Sequence, residues 1–327
     1  YDLTELQRHE NRLFGFSAKR TLEAAQQLYE RHKLLSYPRT DSRHLSSEVA
    51  ATLPRVVAAV AGRHAGALAP GTGERALGRR FVDDARVTDH HAILPTDVSA
   101  DGKALGADEV RIYDLVCRRL LAAWHDDHVF ETTTIVTRVD GEDDDAGPPV
   151  ASIDRFRSRG TRILQEGWKV LDPQPARRAS TSREDDEPRL PASLARGQAQ
   201  RVVDVRREEK RTQPPRRFTE ATLLTAMETA GRSLDDEELA EAMRECGLGT
   251  PAPRAAIIET LLERGYVQRR GKALHVTPKG LALVDAVHVY LKSPALTGRL
   301  EAHLAAVECG DLALDTFNYN GHTTTAD

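Results

Sequence analysis

TPAPRAAIIETLLERGYVQRRGKALHV, residues 250–276, contains a helix and both strands of a hairpin in one uninterrupted run. Thr250 is a capping residue type, and Pro251 fits the first helical position, where its missing N–H has no intrahelical partner to lose. The spacing predicts a helix running to Gly265 with Ile257, Leu261 and Leu262 facing inward. Tyr266-Val267-Gln268-Arg269, a turn at Arg270-Gly271-Lys272, and Ala273-Leu274-His275-Val276 then form a short hairpin. Two further helices precede this run. Phe218 before the cap Thr219, with Leu223 inside, sets a hydrophobic staple for a helix ending at Gly231, and Asp235 to Glu245 makes a second, stopped by Gly247. Three helices followed by a hairpin read as a winged helix. In such modules the third helix faces DNA, and Arg254, Arg269, Arg270 and Lys272 give a local basic surface. A protein-binding winged helix has the same pattern, and this segment leaves both readings open.

Toward the N-terminus, the hexapeptide Tyr37-Pro38-Arg39-Thr40-Asp41-Ser42 combines a nucleophile, a cation and a stiff backbone. Proline restricts the residue before it to extended conformations, and extended residues two apart project to one side. The Tyr37 phenol and the Arg39 guanidinium would then face one site, the first as attacking oxygen and the second as a bidentate clamp for a phosphoryl group. A surface turn with a stacked tyrosine has the same local sequence. Ser17 caps a helix through about His32, with Ala18, Leu22, Ala25 and Tyr29 on one face, and Ser46 starts another carrying Val49, Leu53 and Val56-Val57. The hexapeptide therefore sits in a connection between helices, with Thr40, Asp41 and Ser42 suited to fixing the loop through side-chain to backbone hydrogen bonds.

Residues 61–80 are rich in Gly, Ala and Arg and read as a loop, followed by Val87-Thr88-Asp89-His90-His91-Ala92-Ile93-Leu94-Pro95-Thr96 and a helix from about Ala107 to Trp124. From Val129 to Val139 the chain is Thr- and Val-rich, and Val150–Ile153 and Arg162–Val170 extend the β character into a small antiparallel sheet. Asp140 to Asp145 reads as a solvated hairpin tip, and the stretch from Asp172 to Glu187 as a flexible connection.

With 327 residues and 40% hydrophobic content, the chain can form two or three cored domains, which excludes a disordered or fibrous protein. Lys+Arg of 46 against Asp+Glu of 50 gives a net charge of −4, so any nucleic-acid surface must be local. Cys117, Cys246 and Cys309 match neither a metal pattern nor a disulfide framework, which favours ordinary thiols in a reducing cytoplasm. There is no apolar run long enough for a membrane span, and the start, without an initiator methionine, suggests a piece of a longer protein.

The hexapeptide, the His90-His91-Ala92-Ile93-Leu94-Pro95-Thr96 segment and Gly247-Leu248-Gly249-Thr250-Pro251-Ala252 ahead of Arg254 occur in an order that resembles the type IA DNA topoisomerases, nearest to the topoisomerase III branch. Phe14-Gly15-Phe16-Ser17-Ala18, Pro214 to Ala221 and Met227-Glu228 extend the resemblance over nearly the whole chain. It implies that Tyr37 attacks a single-stranded DNA phosphodiester and keeps the 5′-phosphate, that Arg39 steadies the scissile phosphate, and that His90 lies at the active site. His91 is a further DNA-facing candidate, Arg254 matches a DNA-contacting arginine, and Thr250 could cap a helix whose N-terminus faces a phosphate. Pro253 stands where the family usually has Thr or Ser, which removes one hydroxyl contact to DNA. The resemblance also implies Mg²⁺ held by an N-terminal Toprim domain. That domain has no counterpart here, and this chain itself binds no metal; Asp140 to Asp145 lack the spacing to replace it. Asn318 to Asp327 fit no family pattern.

The expected fold is α+β and mainly helical. It comprises a lead-in or end of a β arch (1–13), a helical domain carrying the tyrosine (14–128), a β-rich arch domain (129–210, with a flexible insert at about 172–188) and a winged-helix-like single-strand-binding domain (211–327). The expected reaction is ATP-independent strand cleavage and religation by a monomer whose partner is single-stranded DNA, with the fragment not fully active alone. The rivals are a noncatalytic winged-helix DNA-binding protein and another phosphotyrosine enzyme, a recombinase or relaxase. Recombinases place several Arg and His residues far upstream of the nucleophile, and relaxases carry a triple-histidine motif; neither pattern occurs here.

Overall fold

The computed structural model of the chain describes residues 1–87, 89–141, 152–173, 195–204, 206–244 and 247–304. Residues 1–13, expected as a lead-in or the end of a β arch, are largely helical. Leu3–Phe14 is helix α1, capped by the Asp2 carboxylate, which accepts from the Glu5 N–H, and closed by Gly15 at φ 74°. Helix α2 spans Ala18–Glu30, with the Ser17 hydroxyl accepting from Arg20 N–H as its cap. It buries Thr21, Ala24, Ala25 and Leu28, so its inner face is rotated away from Tyr29. The helix expected after Ser46 divides into α3 (Ser47–Ala50) and α4 (Leu53–Val60). Pro54 has no N–H to continue the ladder, and Thr52 Oγ1 donates to the Val49 carbonyl at the break. A 3₁₀ segment at Ala61–Ala67 opens the expected loop, and α5 covers Ala107–Leu121 before a 3₁₀ turn at Ala122–Trp124.

These helices enclose the main core, in which Leu3, Leu6, Leu28, Leu34, Leu35, Ile93, Ile112, Leu121 and Trp124 are all but sealed from solvent. At about 1.5–3 kcal/mol for each large apolar side chain, this cluster is the main force holding the tyrosine-bearing loop in place. Cys117 belongs to it, and burial pushes its thiol up to about 12, as befits an ordinary core thiol.

The β-rich region is a two-stranded antiparallel ribbon among the described residues: β1 (Val129–Gly141) against β2 (Ser152–Gln165), with Thr133 opposite Gly160. This corrects the strand expected to reach Val170. The chain leaves β2 at Gln165 and forms a 3₁₀ turn over Gly167–Leu171, which returns Leu171 to the main core. The residues from 142 to 145, most of the 172–187 stretch, and Asn318 to Asp327 lie outside the described residues.

Helix α6 (Glu220–Glu228), a 3₁₀ turn (Ala230–Ser233), α7 (Glu237–Ala242) and α8 (Pro251–Glu263) lead into the hairpin β3 (Val267–Arg270) and β4 (Ala273–Val276), then α9 (Pro278–Ala286). Residues 294–304 are also helical. The elements follow the expected order of helices and then a hairpin, with two differences in the side chains that are buried. Ala255 and Ile258 face the core in place of Ile257, which is exposed, and Phe218 is exposed while its carbonyl accepts from Leu274 N–H. Leu224, Met227, Ala255 and Ile258 pack with Ala18 of α2, so the second apolar cluster joins this region to the tyrosine-bearing helices.

Candidate active site

Two extended segments build the site. Ser36 N–H donates to Leu94 O at 2.8 Å, Leu94 N–H donates to Ser36 Oγ at 2.9 Å, and Leu35 bridges to Pro95. This pairing lays the 90–96 segment beside the residues leading to Tyr37, although more than fifty positions separate them in sequence. The Tyr37 and His90 rings meet with centroids 4.4 Å apart at 48°. Tyr29, at the end of α2, presents its ring edgewise to Tyr37 at 5.6 Å and 76°. Tyr37 is half-buried, Pro38 is buried, and Arg39 and His90 are exposed, so the phenol is steadied by aromatic neighbours at an accessible surface.

The loop beyond Tyr37 is fixed by the hydrogen bonds its composition suggests. Buried Thr40 donates through Oγ1 to the His90 carbonyl at 3.2 Å and accepts from Ser42 N–H, while its own carbonyl accepts from Leu3 N–H at 2.9 Å. Ser42 Oγ donates to Arg86 O at 2.9 Å and accepts from His44 N–H. Tyr37 and His90 are thus tied through backbone as well as through their rings. Arg39 has no ion pair among the described residues, leaving its guanidinium open to an anion. His91 differs from its neighbour: its Nδ1 lies 2.7 Å from the Ala92 carbonyl, which turns the ring toward the backbone.

The second group of expected DNA contacts does not form a shared open basic surface. Arg254 is 3% exposed; its guanidinium donates to Thr4 Oγ1 at 3.3 Å and to Leu248 O at 3.4 Å. Arg269 pairs with Glu220 at 2.7 Å and with Glu259, while Lys272 Nζ donates to the α1 carbonyls of Asn11 at 3.3 Å and Arg12 at 2.9 Å. Cations at a helix C-terminus satisfy its unpaired carbonyls, so Lys272 acts here as a cap on α1. All three of these wing cations are exposed, and Arg270 has no ion pair among the described residues. Thr250 occupies the cap position of α8, but its side chain makes no capping bond.

Sequence reasoning missed the charged seam that joins these two groups. Arg43, next to the hexapeptide, pairs with Asp2 and reaches Glu228 at 3.9 Å; Glu228 also pairs with Arg8, which contacts Glu5 at 2.7 Å. Buried Glu220 accepts from Ala18 N–H at 2.8 Å as well as from Arg269, and Asn11 Oδ1 accepts from Ala221 N–H at 3.2 Å. The only signal for this seam was Met227-Glu228 itself, because its pairings to α6 span some two hundred positions. Tyr29 was missed for another reason: its helical spacing made it resemble a core residue.

Among the described residues, no group of three or more His, Cys, Asp or Glu side chains could hold a metal ion. None of their helices is long and apolar enough to cross a membrane.

A half-buried tyrosine against a histidine, beside an open arginine, defines a site suited to nucleophilic attack on a phosphodiester. Residues 1–318 match the family described as DNA topoisomerase. The DNA topoisomerase 3 of Bacillus anthracis is 39% identical over 322 residues, covering 97% of this chain and 42% of the relative. That of Bacillus subtilis strain 168 is 36% identical with the same coverage. The full-length topoisomerase I of Thermotoga maritima shares the fold, with a TM-score of 0.57 at 23% identity, over 100% of this chain and 49% of that one. The chain belongs to the type IA DNA topoisomerase family and spans under half the length of the curated relatives it matches.

Proposed function

We propose that this chain supplies the nucleophile of a type IA topoisomerase, and that Tyr37 cleaves one DNA strand by transesterification. The observation that carries the reading is the 4.4 Å ring contact of Tyr37 with His90, in a loop that leaves Arg39 open beside it. The Tyr37 Oη–phosphorus bond forms as the bond from phosphorus to the 3′-oxygen breaks. The phenolic proton leaves, the 3′-oxygen departs as a hydroxyl, and the phosphate remains on Tyr37 as a 5′-phosphotyrosine. Attack by the 3′-hydroxyl reverses each change, so the phosphodiester is conserved and no nucleotide triphosphate is consumed. Arg39 holds the phosphoryl oxygens as charge gathers on them. His90 orients the phenol and assists its proton transfer, and exposed Arg270 contributes to strand binding. For His91, Arg254, Arg269 and Lys272, a DNA contact requires exchange of the hydrogen bonds and ion pairs described above, whereas Thr250 is exposed at the α8 N-terminus. Mg²⁺ would be held by a Toprim domain, where it would help the 3′-oxygen leave and return.

The test is covalent trapping of a 3′-radiolabelled single-stranded oligonucleotide by this chain fused behind a Toprim domain. The 3′ label stays with the fragment whose 5′-phosphate is on the tyrosine. A labelled protein adduct is expected, and Tyr37→Phe is expected to abolish it. An adduct that persists in Tyr37→Phe removes Tyr37 from the reaction.

A further inference from the structure

We propose that Lys33 is a positioning residue for Tyr37, acting through the ring of Tyr29. The inference rests on the strand-cleaving reading of Tyr37 and deepens it. Lys33 has φ 58°, the one positive value outside glycine among the described residues. The left-handed region crowds the Cβ of an L-residue against a carbonyl oxygen, and just past a helix it is ordinarily taken by glycine. The turn at Lys33 is held in this conformation from both sides. Leu34 N–H donates back to the Leu28 carbonyl of α2 at 2.8 Å, while Thr96 Oγ1 donates to Lys33 O at 2.6 Å and Thr96 N–H to Leu34 O at 3.0 Å. Each of these bonds uses only the backbone of residues 33 and 34, so a glycine would make them all without strain. The lysine side chain must then have a use of its own.

Its surroundings show that use. The Lys33 ammonium lies 5.6 Å from the centre of the Tyr29 ring, within reach of a cation–π contact. Tyr29 turns its edge to Tyr37 at 5.6 Å, and Tyr37 meets His90 at 4.4 Å. A row therefore runs from the cation through Tyr29 and Tyr37 to His90. Tyr29 is half-buried and stands outside the face that α2 buries, so core packing does not fix its ring. Lys33 is exposed and makes no ion pair among the described residues, which leaves its charge to the ring beside it. Held by that charge, Tyr29 props the Tyr37 ring against His90 and keeps the phenolic oxygen in line for attack.

Lys33→Gly and Lys33→Asn keep the left-handed turn and remove the ammonium. Their thermal midpoints are expected to match or exceed that of the unaltered chain, because strain is relieved. Single-turnover adduct formation in the Toprim fusion, at saturating single-stranded DNA, is expected to slow roughly 2–5-fold in both, the span of one exposed cation–π contact. Lys33→Arg is expected to restore the rate. Tyr29→Phe is expected to react like the unaltered fusion and Tyr29→Leu up to about 10-fold more slowly, with no further loss when Lys33→Gly is added to Tyr29→Leu. Affinity for single-stranded DNA and its salt dependence, read by anisotropy, are expected to stay unchanged in the Lys33 variants. Four results would each overturn the proposal: an unaltered rate in both variants, lowered midpoints in both, a further 2–5-fold loss on top of Tyr29→Leu, or a log–log salt slope reduced by about 0.7, the mark of a direct phosphate contact. Failure of the strand-cleaving reading is distinct, since the unaltered fusion would then form no Tyr37-dependent adduct, and the role of Lys33 would fall with it.

Discussion

Arg39 acts at the level of a single side chain. Its guanidinium is exposed and has no ion pair among the described residues, so its loss should cost little stability and much reaction. Arg39→Ala in the Toprim fusion is expected to slow covalent trapping about 100-fold, the scale of removing one donor to a charged transition state, with Arg39→Lys recovering only part. Quench-flow measurement of adduct formation reads this directly. Glu10 presents the opposite case, a carboxyl in the core with no hydrogen-bond partner on either oxygen among the described residues. Burial raises it to about 7, against the pull of Arg111. Because the folded value lies above the unfolded one, the stabilisation is fully present below about pH 4.5 and is lost as pH rises through about 7. Glu10→Gln is therefore expected to raise the thermal midpoint at pH 8 and to leave it nearly unchanged at pH 4.5. A midpoint gain at pH 4.5 as large as at pH 8 would contradict this assignment.

At the level of elements, joints carry the argument. Gly167 turns the chain from β2 into the core at φ 55°, and a Cβ there would sit 2.4 Å from the Asp127 carbonyl and 2.5 Å from that of Asp126. Gly167→Ala combines left-handed strain with a backbone clash and is expected to cost about 2–4 kcal/mol, read by urea denaturation. Glu220 joins α6 to α2 and to the wing. Glu220→Ala leaves Ala18 N–H and Arg269 without their shared acceptor and is expected to cost roughly 3 kcal/mol. Hydrogen exchange should then rise at Ala18 and along β3.

These joints also mark where the sequence stops being informative. Ser17, Ser46 and Thr219 announce their helices because a cap acts on residues two or three positions away, whereas the helix expected from Asp235 to Glu245 is capped one residue later, by Asp236. The C-terminal end of β2 and the break between α3 and α4 depend on one glycine and one proline, whose effect is local but whose direction is set by the core. The fate of Arg254 could not be read at all: its hydroxyl partner, Thr4, lies 250 positions away. A basic residue on a predicted DNA-facing helix looks the same in sequence whether it meets solvent or a distant helix.

For the molecule as a whole, the main core gathers the tyrosine-bearing helices, and the second apolar cluster and the charged seam join them to α6, α8 and the hairpin. The hexapeptide and the 90–96 segment stand out in the sequence as a candidate nucleophile and its company because their residue types carry the chemistry. Their contact became visible only through the pairing of Ser36 with Leu94. The central claim is that Tyr37 is the residue that takes up the DNA strand. The most direct measurement is tryptic mapping, by mass spectrometry, of the covalent adduct formed with single-stranded DNA in the Toprim fusion. The predicted result is a nucleotide mass on the peptide containing Tyr37, and none in Tyr37→Phe; a nucleotide mass on any other residue would contradict it.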